Sequence, residues 1–161
     1  NHLDIERIEW LEAYIKKFKG ACVIVSHDRY FLDKMSNKIL DLNDIEPKVY
    51  NTNYSNYLIE KERDNFKTIT DFAFEKFDLT FGNRINNQIN QLVPVFVECG
   101  GTKEDALDFM FSRKVVSKLS GRFEDYIKQG LLDLKALIRK VYGKAAFPLT
   151  NKEIDRLVRK L

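Results

Sequence analysis

"GACVIVSHDRYFLDKMSN", residues 20–37, places Ser26, His27, Asp28 and Arg29 directly after the apolar run "ACVIVS" and directly before an amphipathic stretch. An imidazole titrates near neutrality and carries a ring N–H in both its neutral and charged forms. The run 21–26 is short, apolar and β-branched, the pattern of a strand buried on both faces of a parallel sheet. At the carboxyl end of such a strand, where α/β sheets hold their ligands, His27 could donate a hydrogen bond to charge developing on a phosphate. The same residues suit a second role, in which His27 and Asp28 satisfy a turn or cap the helix that follows.

The elements that would position this corner alternate between α and β. "DIERIEWLEAYIKKF" spaces Ile5, Ile8, Leu11 and Ile15 for a helix, with Asp4 as N-cap and Gly20 as the stop. "RYFLDKMSN" reads as a short helix, and "KILDL" and "KVYNTN" as two short strands around the turn "NDIEP". "YSNYLIEKERDNFK" opens another helix, with Tyr54, Tyr57, Leu58 and Phe66 on its apolar face.

From about residue 67 the pattern becomes helical. "NRINNQINQLVPVFVECGG" is broken by Pro94 and halted by Gly100 and Gly101. "TKEDALDFMFSRKVVSKLSG" opens with Thr102 and Asp105 at capping-box spacing. "RFEDYIKQGLLDLKALIRKVYG" carries an apolar stripe of Phe123, Ile127, Leu131, Leu134, Ile138 and Val141. "TNKEIDRLVRKL" is a last short helix, with Thr150 as cap. The expected core of this half includes Leu92, Phe96, Leu107, Phe109 or Phe111, Val115, Leu119 and the stripe 127–138. The fold class expected is an α/β fragment with a small, incomplete sheet (1–66), followed by an all-α helical domain (67–161), the boundary falling near 64–70.

The sequence has 161 residues, 44% hydrophobic, enough for real cores. Two cysteines, Cys22 and Cys99, no apolar run near twenty residues and no signal peptide point to a reducing, cytoplasmic setting without disulfides, cysteine metal sites or membrane contact. Residues 1–66 carry ten basic and twelve acidic side chains, and the remainder seventeen and twelve. The basic second half suits an anionic partner such as nucleic acid, or simply a solvated lysine-rich surface.

"NHLDIERIEWLE", "VIVSHDRYFLDKMSNKILDL" and "NYSNYLIEKE" together resemble the end of an ABC-type ATPase domain, of the ABC-F class of translation-associated ATPases, over residues 1 to about 65. The resemblance implies that Asn1 to Asp4 form the D-loop, which contacts the opposite nucleotide domain. It implies that Ser26, His27 and Asp28 form the switch-histidine region, His27 approaching the γ-phosphate. Asn1, Asp4, Ser26 and Asp28 are then the nucleotide-binding candidates and His27 the catalytic one, in a completed site only. Parents of this kind use ATP and magnesium, and RNA or the ribosome is a partner by the same resemblance.

No G-x-x-x-x-G-K-[ST] phosphate loop occurs in the sequence, and the family's Walker B pair would precede residue 1. The chain by itself is therefore expected to be inactive, to hold no ATP or magnesium, and to depend on a missing nucleotide-domain portion or another chain. A homodimer through strand 21–26 is the other outcome for an apolar strand with open edges. "KLSG" at 118–121 is similar to the family's signature motif but reads as a helix end. Residues 77–160 resemble the helical C-terminal segment of AAA+ restriction-type motor ATPases, which implies Arg84 or Arg113 as a phosphate-sensing arginine. "VPVFV" at 93–97 departs from the ABC-F pattern, so the two halves could be a fusion. Two rival readings remain, a non-enzymatic helical interaction module and a basic nucleic-acid binder.

Overall fold

Which strands form, and which do not, decides how the histidine corner is held. The computed structural model describes residues 5–42, 47–79, 82–122 and 125–161 and divides into two units, 1–63 and 64–161. A small α/β beginning with a two-stranded sheet is followed by an all-α region.

In the first unit, helix α1 (Ile5–Lys17) precedes helix α2 (Arg29–Met35). Strands β1 (Ile39–Asp41) and β2 (Lys48–Tyr50) pair antiparallel, with Ile39 opposite Tyr50 and Asp41 opposite Lys48. Asp4, the expected cap of α1, and most of the turn between the strands lie outside the described residues. The sheet seats Asp41, buried, where Tyr57 donates its hydroxyl at 2.7 Å and the Lys61 ammonium forms an ion pair. Tyr50 and Tyr57 meet edge to face beside this network, their centroids 5.0 Å apart.

The expected strand at 21–26 does not form. A strand holds its shape through a neighbour's backbone groups, and the two-stranded sheet of β1 and β2 does not extend to this segment. The segment instead runs as irregular chain, with Val23 93% and Val25 97% exposed.

Helix α3 (Tyr54–Phe77) runs unbroken through residues 64–70, and its later turns belong to the second unit. Leu58, expected on its apolar face, is exposed, whereas Ile69, Ala73 and Phe77 are buried. Helix α4 (Asn83–Glu98) follows, and Pro94 does not break it. Proline removes one N–H and crowds the carbonyl four residues back. The helix closes beyond it all the same, through Cys99 N–H to Val95 O at 3.0 Å and Gly101 N–H to Phe96 O at 2.8 Å. Gly100 supplies the left-handed turn at φ 87°.

Helix α5 (Lys103–Lys114) starts on the reciprocal box of Thr102 and Asp105 and gives way at Val115 to a 3-10 turn, Val116–Leu119, so residues 102–121 are not one helix. Helix α6 (Asp125–Tyr142) buries Ile127, Leu131, Leu134 and Ile138 completely, leaving Val141 at the margin; Phe123 lies outside the described residues. Gly130, on the same buried face, is where Phe77 of α3 leans in: a Cβ there would stand 2.7 Å from the ring. Leu107, Phe111, Val115 and Leu119 complete the buried set, with Leu92, Phe96 and Phe109 half-buried around it.

Helix α7 (Pro148–Val158) does not begin at Thr150. Phe147, wholly buried in a left-handed conformation, turns the chain into Pro148 at the first helical position. Asp108 of α5, buried, then accepts from Leu149 N–H at 2.7 Å and Thr150 N–H at 2.8 Å. The cap of α7 is thus borrowed from α5, and the Thr150 hydroxyl donates back to the Asp108 carbonyl at 3.3 Å.

Candidate functional site around His27

Asp28 is the N-cap of α2: its carboxylate accepts from Phe31 N–H at 3.1 Å while its own N–H donates to the Ser26 hydroxyl at 3.0 Å. This tight turn fixes the backbone on both sides of His27, and buried Phe31 anchors the helix behind it. His27 itself is exposed. Of the two roles read for the pair, Asp28 takes the cap and His27 is left facing solvent.

The frame around the corner is ionic. The buried Glu12 carboxylate of α1 pairs with Lys34 of α2 and holds that ammonium's pKa above its ordinary value, chiefly through their hydrogen bond. Asp33 accepts from Ser55 N–H at 2.7 Å in the first turn of α3, so α2 is tied to the helix after the sheet as well. Burial raises the Tyr57 hydroxyl's pKa, and its hydrogen bond to Asp41 adds to this. Burial opposes the charge on Lys61, but its hydrogen bonds to Asp41 and Tyr57 outweigh that and raise its pKa. None of these groups has a sequence signature, because each depends on a partner in another element.

Helix α1 and the residue just past its end also present an exposed aromatic row at helical spacing. Trp10, Tyr14 and Phe18 follow one another at i, i+4 and i+8, their rings stacked with centroids 5.5 and 6.2 Å apart. All three are about half exposed or more. Gly20 lets the Phe18 ring lie against the chain, since a Cβ there would stand 2.7 Å from it.

The other sequence candidates are dispersed. Asn1 and Asp4 lie outside the described residues. Arg84 is in the first turn of α4 and Arg113 in the last turn of α5, both exposed and both in the second unit. Among the described residues no group of three or more His, Cys, Asp or Glu side chains could hold a metal ion, and the Asp28 carboxylate is already occupied as a cap. These residues therefore do not fit a magnesium ion. No helix among the described residues is long and apolar enough to cross a membrane.

A family model described as "Domain of unknown function (DUF8727)" matches residues 26–161. The chain belongs to this family. The match begins at Ser26 and runs through both units, so the histidine corner and the helices after it form one family pattern. A separate similarity covers about 60 residues. The chain is 52% identical over 61 residues to "Putative ATP-binding protein YdiF" of Bacillus subtilis (strain 168), 38% of this chain and 10% of that protein. It is 46% identical over 61 residues to "Energy-dependent translational throttle protein EttA" of Mycobacterium tuberculosis (strain ATCC 25618 / H37Rv), 38% of this chain and 11% of that protein. The same extent, 61 residues at 46% identity, is shared with "ABC transporter F family member 5" of Arabidopsis thaliana, 38% of this chain and 9% of that protein. The resemblance to a segment of an ABC-F ATP-binding domain is therefore real, and the chain spans about a tenth of the length of these relatives. No solved structure matches the chain.

Proposed function

We propose that residues 1–63 serve as the switch-histidine segment of an ABC-F-type ATP-binding domain, acting on ATP only when joined to a portion that carries the phosphate loop and the magnesium ligands. The observation that carries this reading is the state of residues 21–26. Val23 and Val25 are almost fully exposed, immediately before a histidine whose flanks are already fixed by the Ser26–Asp28 turn. Exposed apolar side chains cost roughly 25 cal/mol per Å² relative to burial, and unpaired strand edges invite pairing. Inserting 21–26 between two strands of a larger sheet removes both costs and puts His27 at the carboxyl end, where ligands of α/β sheets bind.

In such a site the work of this chain is one hydrogen bond. The His27 imidazole donates to a γ-phosphate oxygen as its charge redistributes, and Asp28 keeps the corner rigid by remaining the cap of α2. The setting is a reducing cytoplasm, and the partner of 21–26 is the complementary nucleotide-domain portion rather than a second copy of the chain.

The test supplies the complementary ATP-binding portion of a relative, by fusion or in trans. His27→Ala should then lower turnover on the order of 10²-fold while changing nucleotide affinity little, because the bond strengthens in the transition state. Equal losses in turnover and affinity would reduce His27 to a binding residue. A homodimer that persists in light scattering after the complement is added would give 21–26 to a second copy instead.

A further inference from the structure

The basic excess of the helical unit is confined to its second half. Residues 64–112 hold four basic and eight acidic side chains, whereas residues 113–161 hold thirteen basic and five acidic. Much of this excess is set on elements that pack together: Arg113 and Lys114 end α5, Lys118 sits on the 3-10 turn, and Arg156, Arg159 and Lys160 are at the end of α7.

The Asp108 cap fixes how these cations meet. It ties the start of α7 to the middle of α5, so Arg113, five residues past Asp108, and Glu153, three residues past Thr150, lie on neighbouring helices in a set register. Glu153 and Arg156 are three residues apart on α7, and Lys160 follows two residues past its end. Arg156 grips Glu153 with two bonds, Nε to Oε2 at 2.9 Å and Nη2 to Oε1 at 2.5 Å. That bond holds the Glu153 carboxyl below its ordinary pKa, and the charges of Arg113 and Lys160 lower it further. One carboxylate thus stands among three exposed cations, and it orders one of them without neutralising the rest. Such a cluster, flanked by further lysines and arginines, carries more positive charge than its one carboxylate balances.

We infer that the face formed by Arg113, Lys118, Arg156 and Lys160 docks the phosphate backbone of RNA. The positive face matches a regularly spaced line of negative charge, and Arg156, pre-oriented by Glu153, offers its remaining N–H donors in a fixed plane. The choice of RNA over DNA rests on the reading of residues 1–63 as an ABC-F segment, one relative being named a translational throttle.

The experiment is fluorescence anisotropy of the full chain against a labelled RNA hairpin of arbitrary sequence, with duplex DNA and heparin as competitors. Binding should weaken as salt rises, log K falling with log salt at a slope of about −2 to −4 for three or four phosphate contacts. Arg113→Ala and Lys160→Ala should each weaken binding several-fold and make the slope shallower by close to one. Arg113→Lys should nearly retain it, and Lys67→Ala, in the acidic part, should leave it unchanged. All three positions are exposed, and circular dichroism checks that the helices stay folded. No binding at low salt, or affinity unchanged in the Arg113→Ala/Lys160→Ala double variant, would overturn the proposal. Duplex DNA outcompeting RNA would overturn the choice of ligand. Failure of the His27 test would leave the salt slope and the alanine effects intact, so the two readings fail separately.

Discussion

Asp108 joins two helices through the backbone of one of them. A helix begins with N–H groups that have no partner inside it, and a buried helix start must find them elsewhere. Asp108 takes two of them from α7 while sitting 2% exposed in the middle of α5. Asp108→Ala leaves the buried Thr150 N–H unmet and the part-buried Leu149 N–H without its acceptor, which should cost about 2 kcal/mol and lower the melting temperature of the helical unit by several degrees. Asp108→Asn, which keeps one acceptor oxygen, should cost about half as much. Thermal melts of the three proteins check this, and a neutral Asp108→Ala would show that α7 finds its cap elsewhere. Phe147, just before α7, shows the same trade. A non-glycine left-handed residue costs about 1 to 2 kcal/mol, and a fully buried aromatic ring offsets that.

Among the elements, α4 makes the most exact test of a local rule against its surroundings. Pro94 sits inside the helix and is exposed, so its ring contributes little packing. Pro94→Ala restores a backbone donor and removes the clash with the preceding turn, worth about 3 kcal/mol, against about 1 kcal/mol of unfolded-chain entropy that proline had removed. The variant should unfold at higher denaturant concentration, and a lower midpoint would mean that a kink at Pro94 is needed for the fit of Phe96 against Phe109. The elements also mark what sequence could and could not say. The helix of α1, the buried stripe of α6, the two short strands and the Thr102–Asp105 box were legible, since each is written in residues a few places apart; the stripe Ile5, Ile8, Leu11 and Ile15 was not the buried face of α1, where Ile5 and Leu11 are exposed and Glu12 is buried. The start of α7 was not, because its cap lies 41 and 42 residues away in α5. Residues 21–26 have the composition of a buried strand, but composition does not supply the neighbours that make one. At His27 the sequence held both roles, and only the Phe31 N–H bond assigned the cap to Asp28 alone.

At the scale of the whole molecule the two units differ in what they have finished. The helical unit closes a core around Phe77, Phe111, Phe147 and the α6 stripe. The first unit leaves Trp10, Tyr14, Val23 and Val25 to solvent. Trypsin should therefore cut first after Lys19, within the irregular exposed stretch 18–28, and leave a lasting fragment containing residues 64–161. First cleavage inside 103–142 would reverse this ranking of the two units. The stacked face on α1 has one more use. Trp10 is the only tryptophan in the chain. Two-thirds exposed beside Tyr14, it is a built-in optical gauge of that face: its emission moves to shorter wavelength and escapes iodide quenching only when something covers α1, so the arrival of the complementary portion can be followed by colour, without a label.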